Sequence, residues 1–494
     1  MLFYERLRGV DDDVRLPDAA LMRRLVPIAL KVVQEFIFEL IKDNQMSLMF
    51  DGTPFGDREA FGIKARMVYM NEVIEVLLHW GMLDENSNAD IIGKEIIKTL
   101  ATFQIKLKYI IMFGCDRARY NTKSLREFGE ELQQIINGIL DRDMDEEDEG
   151  EYEQKYSEDE LEIITREEPI LIQYCTCHII DSSIGKFKMK FIPVFMEPWR
   201  RLCGKSILFK RIFKNKFEES VTENVLSRWW TLIDSLTQLE RLKYDLWKFT
   251  QDLHDVSDGI SQRKLEEFMS DSQNRIKFYA ELKRAVKFGK KLNEAGKFFE
   301  GTGTIIPFAY RKIKEVFAIF EDPDLSKADR DFLGGALEYL KEQIKPDTLY
   351  LWECCELFDP SIFQTLEPEE IGKRLRGLPL SRSEKDDMIA TQDFYKEVCE
   401  KVKIKMKPNS LETWWRVKIE QNDEINLNLN FWIQAYNRIR ILLVSSASCE
   451  RDNSTFSNLV GKQQMHGLED YYQLIMLSRC LMKILMTTQF TEPI

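Results

Sequence analysis

The chain has 494 residues and a formal net charge of −13, and 44% of its residues are hydrophobic, including 31 Phe. This length exceeds one ordinary hydrophobic core, so we expect two or three domains. The acidic balance excludes a simple basic nucleic-acid binder, although acid concentrated in residues 141–168 leaves much of the remainder near neutral or basic. The nine cysteines are scattered, which favours a reducing compartment.

Neither a signal peptide nor a membrane span is predicted. The first residues carry charges where a signal peptide would need an apolar core. The longest apolar segment, residues 25–41, is interrupted by Lys31, Gln34, Glu35 and Glu39, so it does not resemble a membrane-spanning helix. We therefore expect a soluble intracellular protein without a membrane contact.

The first 80 residues change from helical to strand periodicity. Residues at helical spacing predict an N-terminal helix whose apolar stripe is Leu21, Leu25, Ile28, Val32, Phe36 and Leu40. Residues 46–51 and 61–69 then predict two strands joined by a turn at residues 52–54. A third strand is predicted at residues 72–80.

A wholly apolar run at residues 109–113 follows a predicted helix at residues 89–103. Such a short run, bounded by Gly114, predicts a buried central strand, which would end at Asp116. An Asp at the end of a central strand lies at the open edge of the sheet, where side chains from several strands can converge on a ligand.

The segment after this strand alternates between helix, loop and strand signals. An amphipathic helix is predicted at residues 125–139, and the acidic tract 141–168 is expected to be a disordered, solvated loop. A fifth strand at residues 169–177 leads to His178. The first third of the chain therefore predicts a mixed α/β sheet.

Strand signals almost vanish after residue 186. Apolar residues from about 217 to 405 follow helical spacing, which predicts a large all-helical block. The predicted organisation has four parts: an N-terminal helical segment 1–43, the first part of the sheet domain 44–215, an all-helical insertion 216–410, and the last part of the sheet domain 411–494.

Three acidic residues stand out by their context. Asp51 is predicted at the end of the first strand, Asp116 at the end of the fourth, and Glu450 near the start of a late helix. Two Asp and one Glu are the hard oxygen ligands that a pair of Mg²⁺ ions prefers. Two such ions can activate a water or a 3′-hydroxyl and stabilise the leaving oxygen of a phosphodiester displacement.

Each of these residues also has an ordinary structural interpretation. Asp51-Gly52 is a common hairpin-turn dipeptide. Asp116 before a helix is a typical N-cap, and Glu450 at a helix start is favoured by the helix dipole. The sequence alone leaves these alternatives open.

Six segments, in order, resemble the hAT transposases. They are LMFDGTP at Asp51, FGCDRARYN at Asp116, YCTCHIID at Cys175 and His178, SRWW at Arg228 and Trp229, ELFDPSIF at Asp359 and Pro360, and FWIQAY followed by SSASCER at Glu450. The resemblance covers nearly the whole chain. It implies an RNase H-like α/β core interrupted by a large all-α insertion, with a C-terminal dimerisation region.

The activity that this resemblance implies is DNA cleavage and strand transfer at transposon ends. Asp51, Asp116 and Glu450 would be the catalytic residues and would bind two Mg²⁺ or Mn²⁺ ions. Trp229, beside Arg228, would stack against a base displaced from the duplex, since an aromatic face stabilises an unstacked base by roughly 1–3 kcal/mol.

The partners implied are DNA and a second copy of the chain, and the location implied is the nucleus. The N-terminal BED zinc finger common in this family has no matching Cys/His cluster here. The alternative hypothesis is therefore a non-catalytic, transposase-derived protein that acts as a dimerising DNA- or protein-binding factor.

Other residues keep more than one interpretation. Cys175 and His178 could ligate zinc, but two ligands without a second pair rarely form a site, so we expect structural residues, with His178 near DNA or the catalytic carboxylates. Trp229 is by itself more typical of a core. The basic run 283–297 is typical of a solvated helix face, a phosphate-contacting surface or a nuclear-import signal.

Overall fold

The computed structural model describes residues 19–55, 58–83, 89–115, 171–223, 229–253, 259–301, 303–402, 406–449, 451–452 and 469–489. Within these ranges, it does not describe the side chains of residues 19–23, 53–55, 58, 89–90, 94, 107, 229–230, 469–471, 483 and 485–489. The chain forms two compact units. Unit 1 comprises Met1–Ile172 and Ser448–Ile494, and unit 2 comprises Gln173–Ala447.

Unit 2 is therefore an insertion within unit 1. It begins at Gln173 and ends at Ala447, whereas the predicted helical insertion spans residues 216–410. The difference at the first end has a physical reason. The helix Thr176–Ile184 packs against the long helix Ser272–Phe299, so this early segment belongs with the helical unit.

The sheet contains five strands in the order β3-β2-β1-β4-β5. Their bounds are β1 Met46–Phe55, β2 Arg58–Tyr69, β3 Glu72–Leu83, β4 Ile110–Cys115 and β5 Leu171–Tyr174. β1 pairs with β2, and β2 with β3, in antiparallel orientation, whereas β1 pairs with β4 in parallel. The predicted mixed α/β architecture is confirmed.

Helices make up most of the remaining described chain. In chain order they are α1 Ala19–Ile41, α2 Ala89–Thr102, α3 Thr176–Ile184, α4 Phe191–Lys205, α5 Ile207–Phe217, α6 Trp229–Arg241, α7 Lys243–Gln251, α8 Gly259–Ser270, α9 Ser272–Phe299, α10 Ile306–Glu321, α11 Lys327–Leu333, α12 Ala336–Gln343, α13 Pro346–Cys355, α14 Pro360–Phe363, α15 Pro368–Arg376, α16 Arg382–Ala390, α17 Gln392–Glu400, α18 Pro408–Trp414, α19 Asp423–Asn428, α20 Asn430–Arg440 and α21 Glu469–Gln489. Short 3₁₀ turns lie at Leu107–Tyr109 and Glu356–Phe358, and a π-helical turn at Trp415–Glu420.

The predicted central strand is confirmed as β4, whose six residues are all buried. Because all six residues are buried, neither face of β4 is exposed to solvent, which explains the unbroken apolar run. Two predicted bounds were wrong. Residues 52–54 continue β1 instead of forming a turn, and Thr176 and Cys177 belong to α3 instead of the fifth strand.

The predicted N-terminal helix exists as α1, but most of its predicted stripe faces the solvent. Leu25, Ile28, Val32 and Phe36 are exposed, whereas the buried side chains are Val26, Leu30, Ile37, Leu40 and Ile41. The helix carries apolar residues on two faces, and packing against α21 selects one of them. None of the described helices is long and apolar enough to cross a membrane.

In unit 2, stacked aromatic side chains form part of the core. The rings of Trp415 and Tyr436 stack with centroids 4.2 Å apart, and those of Tyr395 and Trp432 stack at 4.2 Å. Beside them, Asp359 caps α14 by accepting from the Ser361 amide at 2.9 Å. The predicted Asp-Pro element is thus a helix start inside the core.

Candidate functional site

Asp51 lies within β1, not at its end as predicted, because the hairpin with β2 extends the strand to Phe55. It pairs with Gly62 across the hairpin, so the hairpin-turn interpretation of Asp51 is also wrong. β4, however, pairs with β1 only as far as Phe50. Asp51 therefore lies just beyond the carboxyl end of β4, and only 4% of its surface is exposed.

Asp116 and Glu450 lie outside the described residues, but the residues that precede them are described. Cys115, the last residue of β4, pairs with Phe50, next to Asp51. Cys449 is buried, and its burial raises the pKa of its thiol well above the ordinary value. The negative charge of Asp51 also acts to raise the pKa of Cys449, whereas the positive charge of Lys64 acts to lower it.

A buried lysine holds the segment around Cys449 against the sheet. Lys64 projects from β2 with 5% of its surface exposed. Its Nζ lies 2.6 Å from Ser448 Oγ and 2.8 Å from Asp452 Oδ2. The two ends of the segment 448–452 are therefore fixed to β2 by one ammonium group.

Glu75 on β3 completes this polar cluster. Its Oε2 lies 3.7 Å from Lys64 Nζ and accepts a hydrogen bond from the Ser448 hydroxyl, while Arg66 contacts Oε1 at 2.9 Å. Burial alone would raise the pKa of Glu75, but the charges of Lys64 and Arg66 and the hydrogen bond from Ser448 lower it to about 2. Burial would likewise lower the pKa of Lys64, yet Glu75 and Asp452 hold it above its ordinary value.

The C-terminal helix joins the same cluster. The amide of Leu77 donates to Cys480 Sγ at 3.3 Å, and this thiol donates to the carbonyl of Glu75 at 3.2 Å.

We name Lys64, Glu75, Ser448 and Asp452 the lysine cluster. The sequence analysis missed it, because the alternation of β2 places Lys64 on the face opposite Ile63 and Ala65, where a lysine is ordinarily exposed.

A second group of chemically active side chains lies in unit 2, at the start of α3. The Sγ atoms of Cys175 and Cys177 are 2.9 Å apart. Together with a ring nitrogen of His178, they lie within 4.8 Å of one another. Among the residues that the structure describes, these form the one group of three such side chains close enough to share a metal ion.

The segment preceding Ala447 encloses the two thiols. Ser445 Oγ lies 3.4 Å from Cys175 Sγ and 3.3 Å from Cys177 Sγ, and the amide of Ser446 donates to Cys175 Sγ at 3.3 Å. Burial alone would raise the pKa of Cys175, but the hydrogen bond with Cys177 and the nearby His178 hold it well below its ordinary value.

The predicted pair Cys175 and His178 thus lies together, with Cys177 as a third member that the sequence analysis did not select. The predicted strand would place Cys175 and Cys177 on one face, two positions apart, and a side chain three positions from Cys175, such as His178, on the opposite face. In the structure Cys175 is the N-cap of α3, and Cys177 and His178 lie in its first turn. A location of His178 near DNA or the catalytic carboxylates stays a prediction.

The remaining predicted DNA contacts are only partly described. Trp229 is the first residue of α6, and its side chain and Arg228 lie outside the description. The basic run 283–297 lies on α9, where its Lys side chains are exposed. Lys287 Nζ contacts Asp329 at 3.2 Å. This exposure confirms a solvated helix face, and a DNA contact stays a prediction.

No protein-family model matches the chain, and no curated protein matches it.

Proposed function

We propose that the chain is a hAT-like transposase, or a protein derived from one, with a metal-dependent site for DNA cleavage and strand transfer at the carboxyl end of β4. The observation that carries the proposal is the convergence of the residues adjoining Asp51, Asp116 and Glu450. Phe50 pairs with Cys115, and Cys449 lies within electrostatic range of Asp51.

The architecture supports the RNase H-like part of this proposal. A mixed five-stranded sheet ordered β3-β2-β1-β4-β5, with β2 antiparallel to both neighbours and a parallel β1–β4 pair, is the strand order of that fold. The insertion of the helical unit 2 before Ser448 agrees with a helical insertion that precedes the final Glu.

The donor set fits Mg²⁺ in its chemistry. Asp51 supplies a buried carboxylate at the sheet edge, and Asp116 and Glu450 would add two more oxygen donors. The thiols of Cys175 and Cys177 do not fit this ion, because sulfur ligands select softer metals. When bound, a pair of Mg²⁺ ions would activate the attacking oxygen and stabilise the leaving oxygen of the phosphodiester.

In this proposal the lysine cluster has a positioning role. Lys64 contacts Ser448 and Asp452, the residues two positions before and after Glu450 in the sequence, and in this proposal these contacts would position Glu450. The low pKa of Glu75 keeps its carboxylate ionised at neutral pH, which retains the partner of the buried ammonium group.

The test combines metal binding with DNA cleavage. We expect Mn²⁺, measured by paramagnetic relaxation of water protons, to bind the wild-type chain and to bind more weakly after Asp51→Asn. Nicking of a supercoiled plasmid in Mg²⁺ or Mn²⁺ should vanish in the same variant and in Asp116→Asn. Asp386→Asn, on the exposed face of α16, is the matched control and should retain both properties.

Two results separate the alternatives. Mn²⁺ binding that is unchanged by Asp51→Asn would refute the metal site. Binding of duplex DNA without nicking, by a folded and dimeric chain, would instead favour the non-catalytic DNA-binding factor.

The proposed DNA contact at Trp229 has its own test. Stacking on an unpaired base contributes roughly 1–3 kcal/mol, so Trp229→Ala should weaken binding to a duplex with one flipped-out base about 5- to 150-fold. Trp247→Ala is the control, because Trp247 is exposed on α7 and stacks on Arg275. Equal losses of DNA affinity in Trp229→Ala and Trp247→Ala would remove the specific role of Trp229.

Action on chromosomal DNA would require a nuclear location.

A further inference from the structure

We propose that unit 2 contains a structural zinc site formed by Cys175, Cys177 and His178, with the Ser445 hydroxyl beside the fourth position. This inference is independent of the proposed function, because it involves neither Asp51 nor DNA. It rests on the arrangement of the ligand atoms, on their burial and on the groups that surround them.

The ligand set matches the chemistry of zinc. Two thiolates and one imidazole leave one position of a tetrahedron for a hydroxyl or water oxygen. With metal–ligand distances of roughly 2.0–2.3 Å, neighbouring ligand atoms in such a site are about 3.5–3.8 Å apart. The three donors lie within 4.8 Å of one another, so the two sulfurs, now 2.9 Å apart, need to separate by less than about 1 Å.

The surroundings have the features of an outer ligand shell. The amide of Ser446 donates to Cys175 Sγ at 3.3 Å, as a backbone group does to a metal-bound thiolate. Ser445 Oγ lies within 3.4 Å of both sulfurs and is itself held by the amide of Ala447 at 3.0 Å. Both thiols are only 1% exposed, which separates the ion from competing water.

The position of the group gives the ion a structural task. Cys175 lies near the point where the chain enters unit 2, and Ser445 near the point where it leaves. The backbone already joins these segments, because the Thr176 amide donates to the Val444 carbonyl at 3.0 Å. A bound ion would fasten α3 to the returning segment, and zinc would therefore increase the stability of unit 2.

The first experiment uses the full chain, stripped with a chelator and reloaded with Zn²⁺ alone. We expect about one tightly bound ion per chain, and expect Co²⁺ in its place to give the charge-transfer absorption of thiolate ligands. Cys177→Ser and His178→Ala should each abolish this tight binding. Cys203→Ser, which changes a buried thiol elsewhere in unit 2, is the matched control and should retain it.

A second measurement needs no ligand variant. In the wild-type chain, Zn²⁺ should slow alkylation of Cys175 and Cys177 and leave that of Cys203 unchanged, as measured by mass spectrometry of the digested protein. Ser445→Ala should weaken zinc affinity about 10- to 100-fold, as for other outer-shell partners.

Three results would overturn the proposal. They are alkylation rates that do not respond to Zn²⁺, a cobalt spectrum without thiolate absorption, and a Cys175–Cys177 disulfide in protein purified under reducing conditions. Loss of DNA nicking has no bearing on these readouts, so failure of the proposed function and failure of the zinc site are distinguishable.

Discussion

Replacing Lys64 by Met tests the lysine cluster, because it removes the buried charge and preserves most of the side-chain volume. Asp452, whose side chain is 16% exposed, would lose a partner at 2.8 Å. Removing one partner of a buried ion pair costs about 3–5 kcal/mol. Since Glu75 keeps Arg66 at 2.9 Å, we expect the lower end, about 3 kcal/mol, or roughly a 100-fold larger opening constant.

Hydrogen exchange of the β2 and β3 amides in the native protein measures this opening constant directly. Amides of unit 2 in the same sample provide an internal reference, since Lys64 belongs to unit 1. Lys98→Met is the matched control, because Lys98 pairs with Glu95 at 3.5 Å but its side chain is 71% exposed. A surface pair of this kind contributes about 0–1 kcal/mol.

A double variant identifies the source of the cost. If Lys64→Met destabilises the sheet because the Asp452 carboxylate remains buried without a cation, then adding Asp452→Asn should restore part of the lost protection. Two results would refute this reasoning. One is an amide exchange rate in β2 and β3 that is the same in Lys64→Met and Lys98→Met. The other is a double variant that is less stable than Lys64→Met alone.

Three further predictions follow from ion pairs and packing. The folded pKa of Glu75 is about 2, below its ordinary 4.5, so the stability contributed by its carboxylate is complete above pH 4.5 and is lost toward pH 2. In Glu75→Gln, the melting temperature should therefore fall less steeply between pH 4.5 and pH 2 than in the wild-type chain. Asp359→Asn should lower the free energy of unfolding in urea by about 2 kcal/mol, because Arg311 loses a charged partner, and an unchanged tryptophan-fluorescence midpoint would contradict this. Gly289→Ala should cost about 1–3 kcal/mol in the same assay because its new Cβ would overlap a side chain of α6, whereas Gly204→Ala meets open space and should cost nothing.

Strands and helices were predictable where one local signal dominated. The apolar run of β4 and the alternation of β2 each allowed one interpretation. Asp51 was misplaced because the turn preference of Asp-Gly is local, whereas the pairing of Asp51 with Gly62 depends on the register of the whole hairpin. The buried face of α1 could not be chosen either, because it depends on α21.

The parts of the site that the sequence could not predict depend on distant partners. Lys64 and Ser448 are 384 positions apart, and no periodicity connects them. The contribution of Cys177 was hidden by a different cause. It depended on whether residues 175–178 form a strand or the start of a helix, because a strand would separate His178 from the face shared by Cys175 and Cys177, whereas the helix start brings all three side chains together.

The separation of Lys64 from Ser448 also constrains the order of events during synthesis. A ribosome adding about 5–20 residues per second needs roughly 20–80 s to reach Ser448 after making Lys64. During that time the lysine has Glu75 on β3 but lacks Ser448 and Asp452, whereas the whole of unit 2 emerges first. The β1–β3 hairpins would therefore mature last, and a chaperone that shields their exposed edge would act on nascent chains truncated before residue 448.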